Sequence, residues 1–257
     1  MRRRNCCINT RNFMTRQLKL VILALDGLEY DYVTKFCYKQ LQQDTFGKTD
    51  ISAFELPRSV ILWSSFLAGK NKEKELVATQ DFWHASLPIT ETFFTAAKNP
   101  LAIDVPGFTY THEQHDRERA NMKEFFEGNT IRIEDYDKHV FAHHLKVKEQ
   151  FFAALQEDKH DVIMAYFSVA DVIGHLSFGI TPKMRMIYQE LDDIARTVKE
   201  TYHGNVLIIS DHGMFARGRF GDHTPYGFWS TNFPVSFTTP ALTDFFKTLT
   251  ALLTQKP

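Results

Sequence analysis

LKLVILAL, residues 18–25, runs directly into Asp26 and Gly27. A continuous apolar stretch rich in branched side chains reads as a strand buried on both faces, as in a parallel sheet covered by helices. Two later stretches repeat the pattern. DVIMAYF (161–167) leads through Ser168 to Asp171, and NVLIIS (205–210) leads to Asp211. A shorter strand near residues 101–105 ends at Pro106-Gly107. Helical periodicity falls between these runs. Residues 31–42 place Val33, Phe36, Cys37 and Leu41 on one face, and residues 60–68 end at Gly69, a C-terminal cap. Residues 143–156 and 242–253 also read as helices. A helix over 182–202 has Thr181 as N-cap and proline at its first position, with Ile187, Leu191, Ile194 and Val198 as its apolar stripe. Strands alternating with amphipathic helices predict an α/β fold, a three-layer sandwich with a mainly parallel central sheet and helices on both faces.

Composition narrows the class. The chain has 257 residues, 44% hydrophobic and 24% charged, which excludes disordered and collagen-like readings. Lys+Arg is 30 against Asp+Glu 31, so charge gives no global signal for a nucleic-acid polymer or an anionic membrane. The 23 phenylalanines predict a well-filled core. Three cysteines, Cys6, Cys7 and Cys37, are odd in number with two adjacent, which fits a reduced, cytoplasmic compartment. No apolar stretch approaches the ~20 residues that span a bilayer. The amino terminus, MRRRNCCINTRNF, is basic but lacks a signal-peptide core. Residues 1–17 are expected to be a disordered tail, with Met14 as an alternative start. Residues 18–257 are expected to form a single domain, of which 70–138 is a less regular covering region.

The three buried runs all end in potential metal ligands: Asp26 after the first, Asp171 and His175 (DVIGH) after the second, Asp211 and His212 (SDHGM) after the third. His223 follows in GDHTPYG. In open parallel sheets, ligands bind beyond the carboxyl ends of the strands, so these groups can converge on one rim. A lone aspartate after a strand is ordinarily a turn or cap residue. Three strand ends carrying such residues together point instead to a metal site. Imidazole and carboxylate without thiolate suit zinc or manganese. Six such residues are enough for two ions, and two ions can clamp the attacking and leaving oxygens of an in-line displacement at phosphorus.

These segments resemble the alkaline phosphatase superfamily, in particular its type I phosphodiesterase/nucleotide pyrophosphatase branch. The resemblance is carried by LALDGLEYDYV (23–33), SVILWSSFLAGKN (59–71), AYFSVADVIGHLSFG (165–179), IISDHGM (208–214) and GDHTPYGFW (221–229), in the order of that family. It implies a hydrolase of small phosphoric esters with two divalent metals, most often Zn2+, with Mn2+ as the alternative. Asp26, Asp211 and His212 would hold one ion together with the nucleophile, and Asp171, His175 and His223 the other. The nucleophile falls on Ser59, four residues before Trp63, and would form a covalent phosphoserine. Ser59 would stand at a helix N-terminus, where free N–H groups and the positive dipole end suit a phosphate oxygen. Arg58 and the Val60 N–H would be substrate contacts. Ser64 and Ser65 are alternative nucleophiles within the predicted helix. The proline and asparagine that the family places two and three residues after its nucleophile are Ile61 and Leu62 here. The same fold also hosts phosphomonoesterases, phosphonate hydrolases and phosphotransferases. A degenerate metal- or phosphate-binding member is the reading from outside the enzymes.

Other features read as structural. Lys70 suits a solvated lysine. Phe82, Trp83, Tyr226, Phe228 and Trp229 could stack on a leaving group, although core packing is the default for aromatics. His112 and His115 (HEQH) have metal-like spacing but lie outside the motifs and read as a polar loop. His143 and His144 read as a helix surface.

Overall fold

The computed structural model describes residues 18–128, 132–157 and 159–255, so the expected tail and alternative start lie outside the described residues. In chain order the elements are β1 (Leu20–Leu25), α1 (Tyr30–Lys35), α2 (Lys39–Gln42), β2 (Thr45–Lys48), α3 (Ser59–Ala68) and α4 (Glu73–Val77). Three short 3-10 turns (Phe82–His84, Ile89–Glu91, Phe93–Ala96) lead to β3 (Pro100–Ile103), α5 (His112–Phe126), α6 (Ile133–Glu157), β4 (Val162–Phe167), α7 (Val169–Ser177) and α8 (Thr181–Thr201). The chain closes with β5 (Asn205–Ile209), β6 (Met214–Arg217), β7 (Phe220–His223), β8 (Phe228–Thr231) and α9 (Phe245–Thr254).

Six strands form one sheet in the order β2-β8-β5-β1-β4-β3. β1 pairs in parallel with both β4 and β5, and β3 is parallel to β4. β8 is antiparallel on β5, and β2 is antiparallel on β8. Every residue of β1 is at 0% exposure, as a central strand covered on both faces must be. Its side chains alternate between two cores. Val21, Leu23 and Leu25 pack with residues of α6, α7 and α8, such as Phe151, Ile173 and Leu191. Leu20, Ile22 and Ala24 pack with residues of α3 and α9, such as Phe66 and Leu249. This is the three-layer α/β sandwich expected from the sequence. Among the described residues, no helix is long and apolar enough to cross a membrane.

Several local expectations are corrected. The helix over 31–42 is two helices, broken where Cys37 takes a left-handed φ of 57°. Thr181 is not an N-cap: it is the first residue of α8, and Ile180 is the cap, with no side-chain bond. Residues 45–48, assigned to no element from the sequence, form a strand. HEQH opens α5 rather than lying in a loop. Gly69 does cap α3 in the left-handed conformation, with φ 64°.

Candidate metal centre

The parallel register explains how the acidic residues meet. Ala24 lies opposite Ile209 and Leu25 opposite Phe167, so β1, β4 and β5 end at one level. Asp26 continues β1 by donating its N–H to the Phe167 carbonyl at 3.1 Å. Asp171 and His175 are four residues apart on α7, on one face of that helix. His223 arrives by the β6–β7 hairpin, which pairs Met214 with His223 and folds the latter back onto the end of β5. The rings of His212 and His223 stack at 3.6 Å.

Six ligand-type residues therefore converge. His212 Nε2 lies 3.3 Å from Asp26 Oδ1 and 3.5 Å from Asp211 Oδ2. Asp171 Oδ1 lies 3.4 Å from His175 Nε2 and 3.3 Å from His223 Nε2, and the two imidazole nitrogens are 3.1 Å apart. His212 Nε2 is 3.9 Å from Asp171 Oδ1, so the two sets adjoin. Asp26, Asp211 and His212 form one compact ligand group.

These residues pass a chemical test for a cation. Asp26 Oδ1, Asp171 Oδ1, both Asp211 oxygens and His212 Nε2 are buried with no hydrogen-bond partner. Buried polar atoms ordinarily have partners, and leaving them bare is costly. Burial, then the Asp171 carboxylate, push Asp26 up to about 6. Burial, then Asp26 and Asp171, push Asp211 well above the carboxylate range. Burial would raise Asp171 too, but His175 and His223 hold it well below that range. Burial, then His223, pull His212 down to about 3, so its imidazole is neutral. A hydrogen bond between His212 Nδ1 and the Gly213 carbonyl (3.1 Å) leaves Nε2 with the lone pair a metal needs. The neutral His212 imidazole beside crowded carboxylates forms a donor set for divalent cations.

Ser59 is half-buried at the first position of α3, and its hydroxyl has no hydrogen-bond partner among the described residues. Leu62 N–H is bonded to the Arg58 carbonyl at 2.9 Å, so the N–H groups of Ser59, Val60 and Ile61 precede the helical ladder. Arg58 is exposed at the cap and Val60 is buried. α3 reaches the cluster through Trp63, whose ring meets Tyr166 edge-on at 5.9 Å, and the Tyr166 hydroxyl donates to Asp26. Ser64 and Ser65 are at 0% exposure inside the helix, and Ser65 is engaged with the Ile61 carbonyl and Lys72 N–H.

The model of the type I phosphodiesterase/nucleotide pyrophosphatase family matches residues 63–217. The chain belongs to that family. Its membership puts it in the alkaline phosphatase superfamily, among hydrolases of phosphoric esters. The family match contains Asp171, His175, Asp211 and His212, while Asp26, Ser59 and His223 flank it. The fold is shared with alkaline phosphatase from the Antarctic bacterium TAB5 (10% identity, TM-score 0.56, covering 93% of this chain and 98% of that one). It is also shared with Ps i-CgsB (12% identity, TM-score 0.54, covering 93% and 72%). Murine ectonucleotide pyrophosphatase/phosphodiesterase 5 is 16% identical with a TM-score of 0.41, over 76% of this chain and 57% of that one. No curated protein matches the chain.

Other residues of this type I phosphodiesterase-family chain take places that the motifs did not reveal. Phe228 and Trp229 are core residues, and Tyr226 donates to Glu29 while Lys48 lies over its ring. Lys70 pairs with Glu75 at the surface. Glu29 is buried and accepts from Met214 N–H at 2.9 Å, tying the start of α1 to the segment after His212. Burial raises its pKa. A second cluster joins Asp104, His115 and His143, with Glu118 beside it. His115 and His143, read as a loop and a surface residue, are both buried. One signal was available for Tyr166, since a hydroxyl at the end of an otherwise apolar strand must find a partner.

Proposed function

We propose that the protein is a two-metal hydrolase of small phosphoric esters, acting through Ser59. One observation carries this reading: five buried ligand atoms without hydrogen-bond partners face one another at the ends of three adjacent parallel strands. Asp26, Asp211 and His212 would hold one divalent cation, with Ser59 as a further ligand. Asp171, His175 and His223 would hold the second. Zinc suits this donor set, with manganese as the alternative. Two such cations supply positive charge that polarises phosphoryl oxygens and acidifies a hydroxyl.

The chain's own groups do the rest. Ser59 Oγ attacks phosphorus in line, forming the P–Oγ bond as the bond to the leaving oxygen breaks. The serine proton passes to solvent, and the leaving oxygen takes one up. Water then attacks the phosphoserine, phosphate leaves, and a proton returns to Oγ. Free N–H groups at residues 59–61 hold a non-bridging oxygen, with Arg58 at the rim. Leu62 is at 0% exposure at the position of the nucleotide pyrophosphatase asparagine, which favours simple esters over nucleotides. A single catalytic domain over residues 18–257 and a cytoplasmic setting belong to the same reading.

The test is hydrolysis of p-nitrophenyl phosphate and bis-p-nitrophenyl phosphate by protein reconstituted with zinc or manganese. Turnover is expected to need metal and to be lost in Ser59→Ala while metal binding is retained. The preferred ester separates monoesterase from diesterase. Metal-dependent turnover that survives Ser59→Ala would remove the phosphoserine step. Metal binding with no turnover on either ester would favour the degenerate reading.

A further inference from the structure

We infer that Tyr166 is a positioning residue for the metal centre, fixing which oxygen of Asp26 faces a cation. This rests on the two-metal reading of the cluster. Tyr166 is the penultimate residue of the apolar strand β4 (VIMAYF) and is 3% exposed. A hydroxyl in that position must find a partner, and it donates to Asp26 Oδ2. With Oδ2 engaged, Oδ1 is left buried and without a partner, 3.3 Å from His212 Nε2. The two oxygens of one carboxylate are thereby given different tasks: one anchors the side chain, the other faces the ligand cluster.

The donor is held rigidly. The Tyr166 ring is flanked edge-on by Trp63 at 5.9 Å and Tyr110 at 6.1 Å. Tyr110 is stacked on His115 at 3.9 Å, and His115 is gripped by Asp104 at 2.8 Å and Glu118 at 2.9 Å. Trp63 belongs to the helix that begins at Ser59. Tyr166 thus joins three parts of the molecule: the ion-paired histidine, the helix of the serine and the first metal ligand. If it served packing alone, phenylalanine would replace it without consequence.

The experiment measures the stepwise zinc-binding constants of Tyr166→Phe and wild type by competition with a chromophoric chelator, alongside the metal-free Tm. Asp26→Asn identifies which constant belongs to the Asp26 site. Tyr38→Phe, whose hydroxyl donates to the distant Arg185 carbonyl at 3.1 Å, serves as control. In Tyr166→Phe the Asp26 constant is expected to weaken about 10- to 100-fold, with the other constant unchanged and the metal-free Tm lowered only as far as the loss of one buried hydrogen bond requires. In the Asp26→Asn background the same substitution is expected to leave the remaining constant where it was. Unchanged constants in Tyr166→Phe would overturn the inference, and so would an equal loss at both sites, which is the mark of a general loosening of the cluster and not of one fixed Asp26 oxygen. Two zinc ions bound by wild type in either case would leave the metal reading standing, whereas no zinc bound by wild type would overturn both.

Discussion

His115 and His212 are both buried imidazoles among carboxylates, and their nitrogens tell them apart. His115 uses Nδ1 on Glu118 and Nε2 on Asp104, both at hydrogen-bond distance, so its needs are met by protons. His212 Nε2 has no partner and sits at ligand spacing from two carboxylates. Burial alone would lower His115, but Asp104 and Glu118 hold it up to about 9. Asp104 is likewise held below the carboxylate range by His115 and His143, against the cost of burial. These two shifts describe one interaction. The histidine part is fully present below its unfolded value of 6.5 and lost as pH rises through about 9. The aspartate part is present above its unfolded value of 3.8 and lost as pH falls. Asp104 also stands at a φ of 59°, which asparagine tolerates, so Asp104→Asn isolates the charge. It is expected to cost about 3 kcal/mol in urea unfolding near pH 6, less toward the alkaline side. Loss unaltered up to pH 10 would show that the charge is not the cause. The spacing of HEQH hinted at a site here, but the partners that decide its chemistry are distant in sequence.

Elements were legible where burial imposed one character on every residue. β1, β4 and β5 are almost entirely apolar, with only Asn205 and the Tyr166 hydroxyl as exceptions, because they are covered on both faces, so their ends, and with them Asp26, Asp171 and Asp211, could be placed from sequence. The hairpin carrying His223 was not legible as strands: Phe220–His223 is half-buried, and FGDH has no alternation to read. α5 was missed for a related reason, since HEQHDRERANMKEFF has no wide apolar stripe. Nor does a cysteine announce the left-handed turn that splits the helix over 31–42. Two glycines owe their identity to close approach. At Gly27 the φ is 69° and a Cβ would come within 2.8 Å of the Asp171 backbone. At Gly221 in β7 a Cβ would come within 2.7 Å of the carbonyl oxygen of Gly174, the residue between Asp171 and His175, so α7 lies directly on the hairpin. Gly221→Ala is expected to push the hairpin away and move His223 from Asp171. The measurable result is at least tenfold weaker zinc binding at that site, with the Asp26 constant retained.

At the scale of the whole molecule, the cluster is a store of unfavourable charge that a bound cation would relieve. An aspartate whose folded pKa is raised takes stability away as pH rises through that value, because the unfolded chain gives up its proton more readily. Asp26 therefore costs the metal-free protein stability above about 6, and Asp211 adds to the cost. The zinc-induced rise in Tm is expected to be clearly larger near pH 7.5 than near pH 5, where protons compete for the same oxygens. A rise independent of pH would place the metal elsewhere. The sheet order has one more consequence. β1 lies in the middle of the sheet, yet Leu20 pairs with Val162 and Asn205, both far later in the chain. During translation the first strand emerges with neither neighbour in existence and must wait, hydrophobic on both sides, until most of the polypeptide has been made. His223 comes last of the six ligand-type residues. A product terminated ahead of it would also lack β8 and α9, and with them core residues such as Trp229 and Leu249, so on the two-metal reading zinc would meet an incomplete second ligand set in a molecule already open to quality-control proteolysis.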